Sequence, residues 1–258
     1  RFVAVIPARL QPVLDEVRPV ADALVAAGHR AYLVGGIVRD QLLGKDLAPG
    51  ADIDLTTDAT PPQIKAALGS VVDALWTQGE RFGTIGVKIG DREFEITTHR
   101  AESYAPDSRK PQVAFGTSID DDLARRDFTV NAMALSLPDP VLVDPFDGAV
   151  DLAAKRLRTP LAPEVSFTDD PLRMLRAARF IAGYELEPDP ELVAAVRAHA
   201  HRLEIVSAER IRDELDKLLV VRDPSAGLWF IFRPKPTAGA APAGFGPDTR
   251  STFPSCHR

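Results

Sequence analysis

The fold of this chain is decided by Gly35-Gly36-Ile37-Val38-Arg39-Asp40, followed about a dozen residues later by Asp52-Ile53-Asp54. Alternate residues of a β-strand point to the same face, about 6–7 Å apart, so the two aspartates present their carboxylates side by side. Hard divalent cations that hold phosphates bind such oxygen ligands, and two-metal phosphoryl transfer needs them close together. A glycine pair lets the backbone approach a phosphate, and Arg39 on the next turn can pair with one. The pattern predicts a nucleotidyl-transfer site.

Bulk composition fits a globular protein and excludes several other classes. The 258 residues can fill one large domain or two modest ones, and they are 45% hydrophobic and 26% charged. The single cysteine, Cys256, excludes an intrachain disulfide and favours a reducing compartment. No apolar run approaches the roughly 20 residues that span a bilayer. We therefore expect a cytoplasmic protein that does not enter a membrane.

The net charge of −6 excludes a protein coated in positive charge for nucleic acid. A local basic surface stays possible, because counterion release depends on the groups at the contact rather than on the total charge.

Apolar spacing divides the chain into three parts. Short strand-like runs alternate with helical ones up to about residue 145, and three helical patterns follow over residues 171–182, 190–200 and 208–221. This order predicts an α+β head at 1–145 and a helical segment at 146–221. The remainder, 222–258, is expected to be an irregular tail because it is rich in Pro, Gly, Ala and Ser. The polar stretch 99–116 contains two prolines and is predicted to be a mobile loop.

A third carboxylate is expected to complete a metal-activating cluster. The segment Glu93-Phe94-Glu95-Ile96-Thr97 reads as a strand, and its two glutamates share one face. Either could serve, with the other as a solvated edge residue, and we favour Glu95 over Glu93.

A second group of polar residues begins at Arg125-Arg126-Asp127-Phe128-Thr129. Adjacent arginines are usually a solvated face. Here they lead directly into an apolar stretch, where a cationic pair is unusual unless it meets a phosphate or a carboxylate. Arg126 is therefore a candidate phosphate contact.

A third group lies on a predicted helix and consists of Asp170, Arg173, Arg176 and Arg179. Residues three apart are neighbours on a helix surface, so these side chains form one stripe. Two interpretations stay open. Asp170 can be the N-cap before Pro171, with the arginines exposed to solvent. Alternatively, an Asp–Arg pair can present acceptors and donors to the edge of a base.

Together these blocks resemble those of the class II tRNA nucleotidyltransferase family, the CCA-adding enzymes and their bacterial poly(A) polymerase relatives in the polymerase-β-like superfamily. The likeness covers about residues 32–219, with the motifs in the family's order. It implies a polymerase-β-like nucleotidyltransferase head with a mixed or antiparallel sheet and helices, followed by an all-helical neck.

The resemblance also implies roles for individual residues. Asp52 and Asp54 would bind Mg²⁺ and, with Glu95, form the catalytic carboxylates. The expected nucleotide contacts are Gly35, Gly36, Arg39 and Arg126 at the triphosphate, Asp170 and Arg173 at the base, and Arg176 and Arg179 in support of either. Residues 101–115 would match the flexible loop that relatives use when they switch from C to A addition.

The implied reaction is addition of CMP and AMP to the 3′ end of tRNA, with CTP and ATP as substrates and pyrophosphate as product. One alternative is a poly(A) polymerase or a relative that adds only C or only A. Another is an inactive nucleotide- or RNA-binding module. Family members continue into further helices that grip tRNA, whereas the helical pattern here ends near Val221. We therefore expect a shortened chain that keeps triphosphate binding and binds tRNA weakly.

Overall fold

The structure is a computed structural model and describes residues 8–45, 53–103 and 112–232. The strands are β1 Ala31–Val34, β2 Ile53–Thr57, β3 Ala74–Trp76, β4 Thr84–Ile89, β5 Arg92–Thr98, β6 Arg100–Ser103, β7 Gln112–Phe115, β8 Ala134–Leu137, β9 Leu142–Val143, β10 Arg156–Leu157 and β11 Glu187–Pro188. The helices are α1 Gln11–Ala26, α2 Gly36–Leu42, α3 Pro61–Leu68, α4 Ile119–Ala124, α5 Gly148–Ala153, α6 Pro163–Asp169, α7 Arg173–Tyr184, α8 Pro190–His199, α9 Ala208–Leu219 and α10 Ser225–Phe232.

A seven-stranded mixed sheet forms the head, with strand order β3-β4-β5-β2-β1-β8-β9. Its neighbours pair antiparallel except β2 and β5, which run parallel. The α+β head with a mostly antiparallel sheet, followed by helices, confirms the predicted fold class.

The sheet has an apolar face, which packs on the core, and a second face that carries Asp54 and Glu95. On the apolar face, residues such as Leu55, Phe94 and Ile96 are buried in the main core, which also takes in the apolar sides of α1 and α3. Side chains alternate along a strand, so Asp54 and Glu95 lie on the opposite face. The site is therefore held on a surface whose other side is fixed by the core.

Two short strands occupy the ends of the stretch that was predicted to be a mobile loop. β6 and β7 pair antiparallel, from Arg100 opposite Phe115 to Ser103 opposite Gln112. Backbone pairing thus overrides the polar composition at both ends of the stretch, and the loop prediction is wrong there. Residues 104–111 lie outside the described part of the chain.

The helical part corrects the predicted start of the irregular tail. α10 lies within the stretch 222–258 and packs on α7, where a Cβ at Gly227 would come 2.4 Å from the carbonyl oxygen of Ala178. Helices approach this closely only where one of them lacks a side chain. The helix was missed because Leu228 to Phe232 is apolar on every side and shows no 3.6-residue spacing.

Candidate functional site

The site is built around the turn between β1 and α2. Gly35 precedes α2 with φ of +79°, a conformation that L side chains rarely adopt. A Cβ at this position would lie 3.3 Å from Arg126 Nη1 and 3.8 Å from Asp54 Oδ2. A cationic and an anionic side chain thus flank the same backbone turn. This arrangement is suited to a group that carries phosphate and metal together.

Asp54 and Glu95 are direct neighbours in the sheet. The parallel register of β2 and β5 places them opposite each other, and the following pair is Leu55 and Ile96. Asp54 is half-buried and Glu95 is exposed. Glu93 instead pairs with Lys88 on β4. The register therefore favours Glu95 as the second carboxylate, and its role as a ligand stays a prediction.

The metal site is only partly visible. Asp52 falls outside the described residues, and within them no group of three or more His, Cys, Asp or Glu is placed to hold a metal ion. The donors that are described, a half-buried and an exposed carboxylate on adjacent strands, are of the oxygen type that hard divalent cations bind.

Arg126 reaches the turn because a buried carboxylate holds it there. Arg126 Nη2 donates to Asp122 Oδ2 at 3.1 Å, and Arg125 Nη2 donates to Asp122 Oδ1 at 2.6 Å. Burial alone would raise the pKa of Asp122, but the charges of the two arginines outweigh it and hold that pKa below its usual value. Arg126 Nε is buried and has no hydrogen-bond partner in the described structure. Nη2 is thus committed to Asp122, and Nη1 is the nitrogen of this guanidinium that lies next to the turn.

Arg39 is buried and fully hydrogen-bonded within the protein. Its side chain is 7% exposed and lies beneath the turn, where Nη1 donates to Asn131 Oδ1 at 2.5 Å and Nε donates to Asp40 Oδ1 at 3.0 Å. The guanidinium also donates to the Tyr184 hydroxyl and stacks on that ring, with Cζ 4.1 Å from its centroid. All three nitrogens are engaged. Arg39 therefore supports Gly36 and links the turn to α7, and its role as a triphosphate contact stays a prediction.

Asp127 joins the head to the helical part. Its Oδ1 accepts from Asn131 Nδ2 at 3.0 Å and from the Phe128 backbone N–H at 2.8 Å. Its Oδ2 accepts from Arg176 Nε at 3.0 Å and Nη2 at 2.5 Å. Burial would raise the pKa of Asp127, but the Arg176 charge and these hydrogen bonds keep it below its usual value. The Arg–Arg–Asp block thus does two things: Asp127 anchors α7, and Arg126 reaches the Gly35 turn.

Asp170 and Arg173 lie where α6 gives way to α7. Asp170 Oδ1 accepts from the Leu172 backbone N–H at 3.2 Å, and Oδ2 accepts from Arg210 Nη2 at 3.1 Å. Arg173 Nη1 donates to Ser166 Oγ at 2.8 Å, and Nη2 donates to the carbonyl oxygen of Arg125. The helix begins at Arg173, so Asp170 caps the preceding turn rather than the helix itself. Both side chains are only partly buried.

Arg176 and Arg179 are held by a glutamate that the sequence analysis missed. Glu214 on α9 is 2% exposed, accepts from Arg179 Nε and lies 3.9 Å from Arg176 Nη1. The two arginines therefore support the position of α7. The signal for Glu214 was a charged residue on the inner face of an amphipathic helix, between Ile211 and Leu218.

Other residues that the sequence analysis missed are Asp122 and Tyr184. Asp122 lies just before the Arg–Arg–Asp block, so proximity in sequence could have found it. Tyr184 is 145 residues from its partner Arg39, and local pattern gives no signal for such a contact.

A cavity of about 400 Å³ lies away from this site, between residues 156–163 and the start of α8, and holds none of the predicted site residues. Within the described ranges, no helix is both long enough and apolar enough to cross a membrane.

Comparison with known proteins matches two families. Residues 31–158 match the family described as the poly A polymerase head domain, and residues 185–229 match the probable RNA and SrmB-binding site of polymerase A. The CCA-adding enzyme of Levilactobacillus brevis is 41% identical over 212 residues, covering 82% of this chain and 51% of its own length. The CCA-adding enzyme of Leuconostoc citreum is 42% identical over 206 residues, which cover 80% of this chain and 49% of that enzyme.

A solved structure shares the fold. The crystal structure of the Bacillus stearothermophilus CCA-adding enzyme in complex with CTP matches with a TM-score of 0.73 and 32% identity, covering 87% of this chain and 52% of that one. The chain thus spans about half the length of the relatives it matches. On the fold, the order of the motifs and these matches, the chain belongs to the class II tRNA nucleotidyltransferase family, which comprises the CCA-adding enzymes and the bacterial poly(A) polymerases.

Proposed function

We propose that this chain catalyses metal-dependent, template-independent addition of CMP and AMP to the 3′ end of tRNA. The observation that carries the proposal is the turn at Gly35, which Asp54 and Arg126 flank at 3.8 and 3.3 Å from its missing Cβ. Relatives that share this fold are named CCA-adding enzymes, and one of them was solved with CTP.

The triphosphate would lie against the Gly35-Gly36 turn. Arg126 is 20% exposed and its Nη1 lies 3.3 Å from where a Cβ of Gly35 would be, so this nitrogen can donate to a phosphate oxygen at the turn without breaking the bond from Nη2 to Asp122. Arg39 would act from below, since it packs 3.3 Å from the position of a Cβ at Gly36 and holds the turn in place.

Asp52 and Asp54 would hold Mg²⁺, with Glu95 beside Asp54. Divalent cations bound there would favour ionisation of the 3′-hydroxyl and neutralise charge on the pyrophosphate. The 3′-oxygen of the RNA attacks the α-phosphorus of CTP or ATP and loses its proton. The bond from that phosphorus to the oxygen bridging to the β-phosphate breaks, and pyrophosphate leaves.

Base selection would fall to Asp170 and Arg173. The Asp170–Arg210 pair is exposed enough, at 32% and 54%, for the carboxylate to exchange its partner for a base. Arg173 is tied to Ser166 and to the Arg125 carbonyl, which fixes its direction. We further propose 1–145 as the nucleotidyltransferase head and 146–221 as the base-recognition neck, with α10 extending the neck.

The test uses tRNA that lacks its 3′-CCA, Mg²⁺, and CTP alone or with ATP. Incorporation of C with CTP and completion with ATP are expected. Addition of A alone in long runs would favour the poly(A) polymerase alternative. Addition of only C or only A would identify a relative that carries out just one of the two steps. Nucleotide binding without incorporation would identify an inactive binding module.

A matched pair of variants tests the carboxylate site. Glu95→Gln should lower incorporation by at least tenfold, because Glu95 lies beside Asp54. Glu93→Gln removes an equally exposed carboxylate from the same strand face and should leave the rate within twofold. Equal rates for the two variants would contradict the role of Glu95.

A further inference from the structure

Trp76 lies on the same face of the sheet as the carboxylates. Trp76 pairs with Gly86, Gly86 pairs with Glu95, and Glu95 pairs with Asp54, across β3, β4, β5 and β2. Direct cross-strand neighbours share a face. The indole therefore stands at one end of a row whose other end is the catalytic aspartate.

Gly86 allows the indole to lie on the sheet. A Cβ at this position would be 2.0 Å from both Cε2 and Nε1 of Trp76, so the ring occupies the space over the Gly86 backbone. Strands are about 4.8 Å apart, which places Gly86 next to Glu95 and about 10 Å from Asp54. Trp76 is half-buried, so part of the residue remains accessible to solvent.

The geometry of the reaction assigns this side of the site to the primer. The Gly35 turn and Arg126 lie on the β1 side of Asp54, whereas Glu95, Gly86 and Trp76 lie on the β5 side. In phosphoryl transfer, the attacking oxygen and the leaving group are roughly in line on opposite sides of the phosphorus. A triphosphate at the turn therefore leaves the β5 side for the RNA 3′ end.

We propose that Trp76 is a stacking platform for an unpaired base at the 3′ end of the RNA primer. The proposal rests on the proposed function and adds the site that receives its acceptor. Lys88 lies two residues beyond Gly86 on the same face, where its ammonium can meet a primer phosphate. An aromatic ring beside a cation is the combination that binds single-stranded nucleic acid without sequence preference. Such tolerance suits a primer end that changes with each addition.

The direct test is tryptophan fluorescence. The chain has two tryptophans, so Trp229→Phe leaves Trp76 as the only indole. A short RNA with an unpaired 3′-CC end, added without triphosphate, should quench its emission in a saturable way. Trp76→Ala in the full chain should weaken RNA binding about tenfold or more, while Trp76→Phe, which keeps a ring, should stay within threefold. CTP affinity should stay unchanged in both variants.

Gly86→Ala gives a second route that keeps the indole. Its Cβ displaces the ring from the strand, so RNA affinity should fall although the tryptophan is present. Circular dichroism and thermal melting report whether each variant is folded. Unquenched Trp76 emission, or RNA affinity within twofold of the parent in folded Trp76→Ala, would overturn the platform.

These outcomes separate the platform from the proposed function. If the parent chain incorporates nucleotides and folded Trp76→Ala keeps the parent's KM for RNA, only the platform is refuted. A parent chain without incorporation, but with saturable quenching of Trp76 by RNA, refutes the proposed reaction and leaves the platform standing.

Discussion

Asp127→Asn tests the anchor between the head and α7. The substitution keeps the shape of the side chain and keeps Oδ1, which accepts from Asn131 and from the Phe128 N–H. It replaces Oδ2 by an amide NH₂ that faces Arg176. Both hydrogen bonds from Arg176 end on Oδ2, so both are lost together with the charge.

The expected loss of unfolding free energy follows from the surroundings of the pair. Removing one partner of a buried ion pair costs about 3–5 kcal/mol. Arg176 is 31% exposed, and Glu214 Oε2 lies 3.9 Å from its Nη1, so solvent and a second carboxylate offset part of the cost. We expect a loss of about 2–3 kcal/mol, which lowers Tm by about 5–10 °C for a chain of this size.

Urea denaturation followed by circular dichroism measures the effect. Asp213→Asn is the matched control, because it makes the same change on the exposed side of α9 and should cost less than about 0.5 kcal/mol. In an Arg176→Met background, where no guanidinium remains to be left unpaired, Asp127→Asn should cost much less. The reasoning fails if Asp127→Asn matches the control, or if it costs the same in both backgrounds.

Two further predictions concern the turn and a buried histidine. Gly35→Ala should lower stability by about 1–3 kcal/mol, because φ of +79° with ψ of −140° is a conformation that essentially only glycine adopts, and it should weaken CTP binding by crowding Arg126. Gly28→Ala, also at positive φ but with no atom within 4 Å, should leave CTP affinity unchanged in calorimetry; equal CTP affinities for the two variants would contradict the contact. Burial lowers the pKa of His99, although the charges of Asp122 and Asp58 oppose this shift. Below about pH 6.5 the unfolded chain therefore binds a proton that the folded chain does not, and the free energy of unfolding decreases as the pH is lowered through this range. His99→Gln should flatten that decline between pH 8 and 5.5 in urea titrations, while the exposed His201→Gln should not; a parallel decline in the parent and His99→Gln would argue against the assignment.

Local pattern predicted those elements whose sequence and surroundings agree. Residues 31–34 and 92–98 are short apolar or alternating runs bounded by turn residues, a pattern that predicts a strand, and β1 and β5 occupy these ranges. α10 was missed because a helix that is apolar on every side has no periodicity. The pairing of β6 with β7 was missed because it depends on a partner strand rather than on composition.

The candidate site shows the same division. The predicted roles of Asp54 and Arg126 rest on residue type and spacing, and the structure brings both side chains to the Gly35 turn. The partners of Arg39 could not be predicted from local sequence, because Asn131 and Tyr184 lie 92 and 145 residues away from it. The preference for Glu95 over Glu93 rested on strand alternation alone, and only the register of β2 with β5 distinguishes the two.

The parallel pairing of β2 with β5 bears on how the head folds. Parallel neighbours cannot be joined by a tight turn, and here the connection contains α3, β3 and β4. Closing so long a loop costs chain entropy before the pairing stabilises anything, which slows the step in folding kinetics. Asp54 and Glu95 come together only through that pairing. We therefore expect metal-binding competence to be regained late in refolding, after the hairpin of β4 and β5 has formed.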